Sequence, residues 1–167
     1  MNDELFDVCD EQDNVLRQAT RTEVHANDWI HRAVHIWVFR SDGSLLLHRR
    51  SATKDTCPLK ITSSASGHVD AGEDYHACAV RELQEELGLA ADLEELTKLP
   101  PGPLTAWEHS MFYRCTTEAE PVPDPGEIAE VLCLPLHEWQ RRIDETPLDF
   151  APVFLELWEW YNRNVPA

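Results

Sequence analysis

Long hydrophobic runs are missing from this sequence of 167 residues. No stretch approaches the roughly 18 to 20 consecutive apolar residues of a membrane-spanning helix. The start, Met1-Asn2-Asp3-Glu4, is acidic, which is the opposite of the positively charged first region of a secretory signal. Hydrophobic residues still make up 43% of the chain, which is enough for a core. We therefore expect a folded cytoplasmic protein that has no membrane partner.

Positive charge is also scarce. Lysine and arginine number 14 against 31 aspartate and glutamate, which gives a formal net charge of −17. Such a surface repels phosphate backbones, and the basic runs that bind nucleic acid without sequence specificity are missing. The charge argues against a nucleic-acid polymer as partner, and a phosphate-bearing ligand would need a bridging cation.

Closely spaced cysteine pairs are a third absence. The chain has five cysteines, an odd number, and none lies in a C-x-x-C pair that would indicate a zinc site or a redox motif. Reduced thiols in a cytosol are the simplest interpretation. The cysteines are Cys9, Cys57, Cys78, Cys115 and Cys133.

Hydrophobic periodicity predicts a mixture of strands and helices. Residues 33–39 are apolar on both alternating faces, as expected of a central strand that is covered on both sides. A turn at 41–44 leads into a hairpin partner at 45–49. This mixed order favours an α/β layered fold in one domain, residues 1–167. The other predicted elements are an N-terminal hairpin (5–9 and 15–17), strands at 61–64, 110–115 and 129–134, a helix over 74–87, and a long C-terminal helix over 150–163 that Asp149 can cap and that tolerates Pro152 in its first turn.

The predicted helix at 74–87 has two distinct flanks. An apolar stripe at spacings of four, three and four consists of His76, Val80, Leu83 and Leu87, and Gly88 supplies a C-terminal stop. Glu82, Glu85 and Glu86 project together from the flank opposite this stripe. Because like charges repel, we expect a cation between them, and carboxylate oxygens suit Mg²⁺ or Mn²⁺. A solvated acidic face is the alternative.

This helix is part of a longer pattern that runs from Gly67 to Leu89. The pattern fits G-x5-E-x7-R-E-U-x-E-E-x-G-U at every specified position, where U is a bulky aliphatic residue. On this motif the sequence resembles the Nudix family. The resemblance implies an α/β/α sandwich with a mixed sheet. It also implies hydrolysis of a diphosphate linked to another moiety, with the help of Mg²⁺ or Mn²⁺.

The resemblance implies a set of metal ligands. Glu82, Glu85 and Glu86 match the family's ligands, and a backbone carbonyl near Ser66 or Gly67 would be a further donor. When bound, such a cation neutralises the diphosphate and lowers the pKa of a water molecule, so that a carboxylate is needed to take the proton.

The same resemblance implies roles for the remaining motif residues. Arg81 and Glu73 match a pair that braces the loop against the helix, although an arginine can also bind phosphate. Glu82 is the first candidate for the general base, and Glu108 is the second because it precedes a predicted strand after a proline-rich loop. An ordinary loop acid is the alternative for Glu108. The expected catalytic residues are therefore Glu82, Glu85, Arg81 and Glu108.

Further similarity lies outside the motif, in segments 8–11, 21–25, 31–35, 48–51, 54–55 and 66–69. Over residues 5–135 the sequence resembles the isopentenyl-diphosphate isomerase-like branch of the family. In the isomerases a metal lies among histidines and glutamates, and His25, His31, His68 and Glu108 fall approximately at those positions. Ordinary hydrogen-bonded histidines are the alternative.

One position departs from the isomerases. They carry cysteine just before the motif glycine, whereas Ser66 stands there in this sequence. A hydroxyl is far less acidic than a thiol, so it is a poor group for protonating and deprotonating an allylic carbon. We therefore rank a pyrophosphohydrolase first, and place an isomerase and a non-catalytic diphosphate-binding domain below it.

Substrate contacts are less defined by the sequence. Three cations, Arg49, Arg50 and Lys54, are candidates for the outer phosphate, with pairing to neighbouring acids as the alternative. Four aromatic residues could stack a base or line a pocket, although Trp37 is expected in the core: Trp29, Trp37, Trp107 and Tyr113. The small-molecule substrate stays open among nucleoside diphosphate derivatives, dinucleotides, thiamine diphosphate and prenyl diphosphates, and the resemblance implies a possible homodimer.

Overall fold

The computed structural model describes residues 3–166, so the predicted domain of residues 1–167 extends beyond this range by two residues at its start and one at its end. None of the helices in this range has both the length and the apolar character needed to cross a bilayer. The five cysteines are free thiols. The elements are β1 (Leu5–Cys9), β2 (Val15–Thr20), α1 (Arg21–Ala26), β3 (His31–Phe39), β4 (Leu45–Arg50), β5 (Ile61–Thr62), β6 (Ala65–His68), α2 (Tyr75–Leu87), β7 (Glu94–Leu99), β8 (Glu108–Thr116), β9 (Ile128–Leu134), α3 (Leu136–Glu145) and α4 (Pro152–Asn164).

The larger of two sheets is mixed. Its strand order is β5-β4-β3-β8-β7, with β6 also paired to β3 and β9 also paired to β4. The central pair β3 and β8 is parallel, whereas the other pairs are antiparallel. β6 lies beside the first half of β3, and β4 pairs with the last two residues of β3.

Alternating residues of β3 belong to two separate hydrophobic cores, one on each face of the sheet. Val34, Ile36 and Val38 are fully buried in the core that α2 covers. Trp37 and Phe39 belong to the core that α3 and α4 cover on the other face. The sheet therefore lies between two helical layers, which confirms the predicted α/β/α sandwich. The core position predicted for Trp37 is also confirmed, since its side chain is fully buried.

The predicted N-terminal hairpin is confirmed as the two-stranded sheet of β1 and β2. It packs against the loop before α2. The backbone N–H of Ala71 donates to the carbonyl of Leu5 at 2.8 Å, and the N–H of Gly72 donates to Asp7 Oδ2 at 2.9 Å. Gly72 has a φ of 79°, a conformation that glycine adopts without strain. The hairpin thus fixes the position of the motif loop.

The two ends of α2 lie where the sequence predicts them, but the buried face of the helix differs from the predicted one. Asp74 accepts a hydrogen bond from the N–H of Ala77, and Gly88 ends the helix at a left-handed φ of 64°. The predicted apolar stripe is wrong in its first half, because His76 and Val80 are exposed. The helix is rotated so that Cys78, Ala79, Leu83 and Leu87 face the sheet, together with Glu86. The acidic flank therefore borders the core and does not lie opposite it.

The C-terminal helix begins later than predicted. α4 starts at Pro152, where the missing N–H costs nothing, and Ala151 precedes it without a side-chain cap. The expected cap Asp149 lies in a short 3-10 turn. Phe150 is extended and bridges Ile61, so the chain adds to the sheet edge before it turns into the helix.

Candidate active site

A cleft of about 1470 Å³ surrounds β6. Its lining includes the three motif acids of α2 on one side of this strand and a group of histidines on the other. Successive residues of a strand point to opposite faces, so Gly67 faces α2 whereas Ser66 and His68 face the hairpin side. Two chemically different groups of side chains therefore share one strand. We call them the acid cluster (Glu82, Glu85, Glu86) and the histidine cluster (His25, His31, His68, Glu108).

The acid cluster lies directly over Gly67. A Cβ atom built at this residue would be 2.1 Å from the carboxyl carbon of Glu82, so only glycine leaves room for that carboxylate. Glu86 accepts a hydrogen bond from the backbone N–H of Ser66 at 3.1 Å. Glu85 is different, because its side chain is 59% exposed. The geometry thus brings Glu82, Glu86 and Gly67 together and leaves Glu85 at the rim.

Burial perturbs both inner acids. It raises the pKa of Glu82 to about 7, with the Arg81 guanidinium partly opposing the effect. It raises the pKa of Glu86 to about 8, and the neighbouring Glu82 carboxylate adds to the shift. Among the described residues, Glu86 has no cationic side chain within ion-pair distance. Two buried carboxyls without sufficient positive charge are a fit for a hard divalent cation.

Arg81 connects the motif loop to the acid cluster. It makes a bidentate pair with Glu73, Nε to Oε1 at 3.0 Å and Nη2 to Oε2 at 2.9 Å. Its Nη1 donates to Glu82 at 2.7 Å and to Glu85 at 3.2 Å. The hydrogen bonds to Glu73 are the main cause that raises the Arg81 pKa, so the guanidinium stays charged. Its position between loop and helix fits the bracing role.

The histidine cluster brings together three rings. Ring nitrogens of His25, His31 and His68 lie within 4.8 Å of one another. The His68 Nε2 atom is 3.2 Å from Glu108 Oε1, and His31 Nε2 is 3.6 Å from the same oxygen. Phe6 of the hairpin stacks on His31 with ring centroids 5.7 Å apart, so β1 covers the cluster.

The hydrogen bonds of His31 fix which nitrogen faces the cluster. Its Nδ1 is 2.9 Å from the carbonyl oxygen of Trp29, which can only accept, so Nδ1 carries the proton. The other ring nitrogen, Nε2, is a buried atom without a hydrogen-bond partner among the described residues, and it faces the cluster. Burial, reinforced by the other two histidines, lowers the pKa of His25 to about 4 and keeps that ring neutral. Imidazole nitrogens that converge on one point beside a carboxylate suit a transition-metal cation.

Glu108 lies with the histidines and not with the acids of α2. It begins β8, and its register partner on β3 is His31. Burial alone would raise the pKa of this carboxyl, but the neighbouring His31 and His68 outweigh burial and bring the pKa well below its usual range. The carboxylate is therefore charged and is positioned to bind a cation together with the imidazoles.

The three candidate cations separate in the structure. Arg50 and Lys54 line the cleft, and Lys54 pairs with Glu127 at 2.5 Å. Arg49 pairs with Glu130 at 3.4 Å and lines a smaller pocket of about 250 Å³ next to α3.

The remaining aromatic candidates do not form a common stacking surface. Tyr113 is buried in the core under α2. Trp29 packs against the hairpin, where the Arg17 guanidinium lies 3.8 Å from its ring centre. Trp107 has a positive φ of 61° in the turn before β8 and is half-buried. A cleft residue that the sequence analysis missed is His35, although its alternation with His31 on β3 was an available signal.

We expect the metal-free protein to lose stability as the pH rises from about 7 to about 8, above the range in which His25, His35 and His48, whose pKa values burial lowers to about 4, contribute the opposite dependence. Glu82 and Glu86 have an ordinary pKa of 4.5 and raised values of about 7 and about 8 in the folded chain. Their contribution to the free energy of unfolding is therefore complete below the ordinary pKa of 4.5. It is lost as the pH rises through the raised pKa values of the folded chain. For each extra proton that the folded state binds relative to the unfolded state, the free energy of unfolding falls by up to about 1.4 kcal/mol per pH unit.

Urea unfolding in EDTA at several pH values measures this dependence. Added Mg²⁺ should restore more stability at pH of about 8 than at about 5, since it binds the deprotonated carboxylates of the folded state. A free energy of unfolding that is flat or rises over this range in EDTA would contradict the burial of these two acids.

Comparison with known proteins agrees with this architecture. The family model for the NUDIX domain matches residues 29–154. An uncharacterized Nudix hydrolase of Streptomyces coelicolor is 42% identical over 99% of this chain and 94% of its own length. A Serratia proteamaculans protein named isopentenyl-diphosphate Delta-isomerase is 32% identical over 97% of this chain and 93% of its own. A crystal structure from Deinococcus radiodurans superposes with a TM-score of 0.82 at 27% identity, covering 98% of this chain and 100% of that one.

These matches confirm what the motif and the outer segments predicted. The prediction of a Nudix enzyme of pyrophosphohydrolase class is confirmed at the level of the family, whose members generally use a divalent metal. Isomerases also occur among the relatives, as expected for the predicted branch. The chain therefore belongs to the Nudix family, in its isopentenyl-diphosphate isomerase-like branch.

Proposed function

We propose that this chain, as one domain of residues 1–167, hydrolyses the diphosphate linkage of a nucleoside diphosphate derivative or another organic diphosphate, with Mg²⁺ or Mn²⁺. The observation that carries the proposal is the pair of buried carboxyls, Glu82 and Glu86, beside Gly67. Their raised pKa values mark a site that is incompletely neutralised by the protein alone. A net charge of −17 makes a bridging cation necessary for an anionic substrate.

Glu82, Glu85 and Glu86 would hold the cation, with the Gly67 carbonyl as a further donor. When bound, the cation neutralises the diphosphate and lowers the pKa of a water molecule. Arg81 keeps Glu82 and Glu85 in place through its hydrogen bonds to both carboxylates and to Glu73. Its fork geometry also suits a phosphate oxygen at the rim of the cleft.

Glu82 is our candidate for the general base. Burial raises its pKa to about 7, which is close to the value that serves a base at neutral pH. Glu108 is the second candidate. Its position among the histidines, on the other face of β6, favours a role as a ligand there. A second cation bound by His25, His31, His68 and Glu108 is part of the proposal.

The test is turnover of a library of organic diphosphates by mass spectrometry in ¹⁸O-labelled water, with Mg²⁺ and Mn²⁺ in parallel. A hydrolase places ¹⁸O in one phosphate-bearing product, and the labelled fragment identifies the phosphorus that was attacked. Binding of a diphosphate that is recovered intact after hours at every metal concentration would contradict hydrolysis and favour a non-catalytic binding domain.

Isomerisation of isopentenyl diphosphate is the second candidate function, because relatives carry that name. Against it stands Ser66, which lines the cleft on the face of the histidine cluster. Carbon acid chemistry needs a proton donor or acceptor on each side of the double bond, and a serine hydroxyl is not acidic enough to be one of them.

We expect proton NMR with isopentenyl diphosphate in D₂O to show neither dimethylallyl product nor deuterium at the allylic carbons. Ser66→Cys in the same assay shows whether the position alone limits the reaction. Product from the wild type at about one turnover per second, an ordinary enzymatic rate, would make the isomerase the leading function.

A further inference from the structure

Buried polar atoms without partners gather on one face of the sheet. Among the described residues they are His31 Nε2, His35 Nε2 and Ser110 Oγ. His31 and His35 alternate on β3, and Ser110 lies opposite Ala33 on β8, so all three side chains point to the face of the histidine cluster. Unsatisfied buried groups are rare in folded proteins, and a group of them at a cleft indicates a ligand. A cation bound in the histidine cluster would satisfy His31 Nε2, whereas His35 is not part of that cluster and its Nε2 needs another partner.

A short hydrogen-bond chain fixes the proton of His35. The Trp37 indole N–H, which can only donate, lies 3.1 Å from Ser63 Oγ. Ser63 Oγ can accept more than one hydrogen bond, but among the described residues His35 Nδ1, at 3.2 Å, is the one acceptor within reach of its own hydroxyl hydrogen. His35 therefore carries its hydrogen on Nε2. Burial lowers its pKa to about 4, so the ring is neutral at ordinary pH.

The surroundings of His35 combine burial with access to the cleft. It is 4% exposed and belongs to the cleft lining. The charged or titratable groups that influence it are Glu108, His68 and Arg50, and all three also line the cleft. On the same face its neighbours are Ala33 and Trp37 along β3, Ser66 across on β6 and Phe112 across on β8, and of these Ala33 and Ser66 belong to the cleft lining.

We propose that His35 binds the substrate directly, donating its Nε2–H to a diphosphate oxygen in the cleft that it shares with the histidine cluster and Arg50. This inference rests on the proposed hydrolysis of a diphosphate and adds a contact to it. A neutral N–H donor suits this position because it stabilises negative charge on the diphosphate oxygen without bringing a charge of its own into a buried site. The chain Trp37–Ser63–His35 makes the donor pre-oriented, since the tautomer is set before the substrate arrives.

The direct test is NMR of the full chain uniformly labelled with ¹⁵N, with His35→Gln for assignment of the ring signals. Without ligand we expect His35 to be neutral with its proton on Nε2, and Ser63→Ala to mix the two tautomers. Addition of Mg²⁺ and methylenediphosphonate should shift the His35 Nε2–H signal. If backbone amides of α2 shift under saturation while this signal does not, the probe binds without His35 and the inference is wrong.

Kinetics of three variants provide an independent measurement on the substrate found in the library. His35→Phe removes the donor from a similar ring and should lower kcat/KM about tenfold to a hundredfold, as expected for a hydrogen bond to a charged group. His35→Gln can present an amide N–H near the same place and should stay within about fivefold. His48→Gln is the matched control, because His48 is 1% exposed, lies on β4 and is outside the cleft lining.

The outcomes separate this inference from the proposed function. Turnover by the wild type together with an unaffected, folded His35→Phe variant overturns the role of His35 and leaves the hydrolase standing. No turnover of any diphosphate and no binding of the probe overturn the proposed function, and the inference with it. Loss in His35→Phe with rescue in His35→Gln supports a hydrogen bond and not a packing effect.

Discussion

Glu86→Gln should lower the turnover of any organic diphosphate by at least about a hundredfold, as removal of a principal electrostatic stabiliser does. The substitution keeps the shape of the side chain and can keep the contact with the Ser66 N–H, while it removes the charge that a cation would bind. Steady-state rates at fixed Mg²⁺, together with Mg²⁺ titrations of both proteins, measure the effect. We expect the variant to need far more metal for half-maximal activity.

Stability separates this loss from unfolding. Glu86 is buried, and its charged form is unfavourable without metal, so a neutral amide should leave the melting temperature in EDTA unchanged or higher. Glu95→Gln is the matched control, since it makes the same chemical change at an exposed position of β7. A Glu86→Gln enzyme as fast as wild type at the same Mg²⁺ would contradict the placement of the metal.

Gly67→Ala should have an effect of similar size through geometry alone. The added methyl would need the space that the Glu82 carboxylate occupies, since its Cβ would be 2.1 Å from the carboxyl carbon. The carboxylate must move by an ångström or more, and misplacement on that scale costs about a hundredfold in rate. No charge is lost, so the defect should appear in turnover and metal affinity together. Rates, Mg²⁺ titration and a melting curve measure it.

Gly102→Ala is the control for this substitution. Gly102 has an extended backbone, and a Cβ there would meet nothing within 4 Å. We expect its rate to stay within about twofold of wild type, as for an ordinary surface change. If Gly67→Ala behaved like Gly102→Ala, the close approach of Glu82 to β6 would not be the arrangement that functions in solution.

Local signals made much of the fold predictable. The apolar residues of 33–39 gave the central strand, and Asp74 and Gly88 correctly marked the two ends of α2. Elements with weak or short patterns were missed. β7 lies at the sheet edge and has the sequence Glu-Glu-Leu-Thr-Lys-Leu, whose charged residues obscure the apolar pattern by which a strand is predicted. In α3 the spacing of Leu136, Trp139 and Ile143 after a proline was a usable signal that was not used.

The site could be predicted only in part. The motif named Glu82, Glu85 and Glu86 because their spacing along one helix is local information. Their burial could not be predicted, because it depends on how α2 is rotated against β6 and β3. The assignment of Glu108 to the histidine cluster depends on the parallel pairing of β3 with β8, a contact between residues far apart in the chain. The hydrogen-bond partners of His35 could not be predicted for the same reason, since Ser63 comes close to its ring only in the folded chain.

The alternation of β6 also bears on how this protein can change through evolution. Gly67 belongs to the face of the acid cluster, whereas Ser66 and His68 belong to the face of the histidines. A substitution at 66 or 68 therefore alters one chemistry and leaves the geometry of the other intact. The two clusters share the four backbone residues of β6, yet the side chains on each face of this strand can be replaced independently. Replacement of the Ser66 or His68 side chain therefore changes the surface beside the histidines without rebuilding the sheet that positions Glu82.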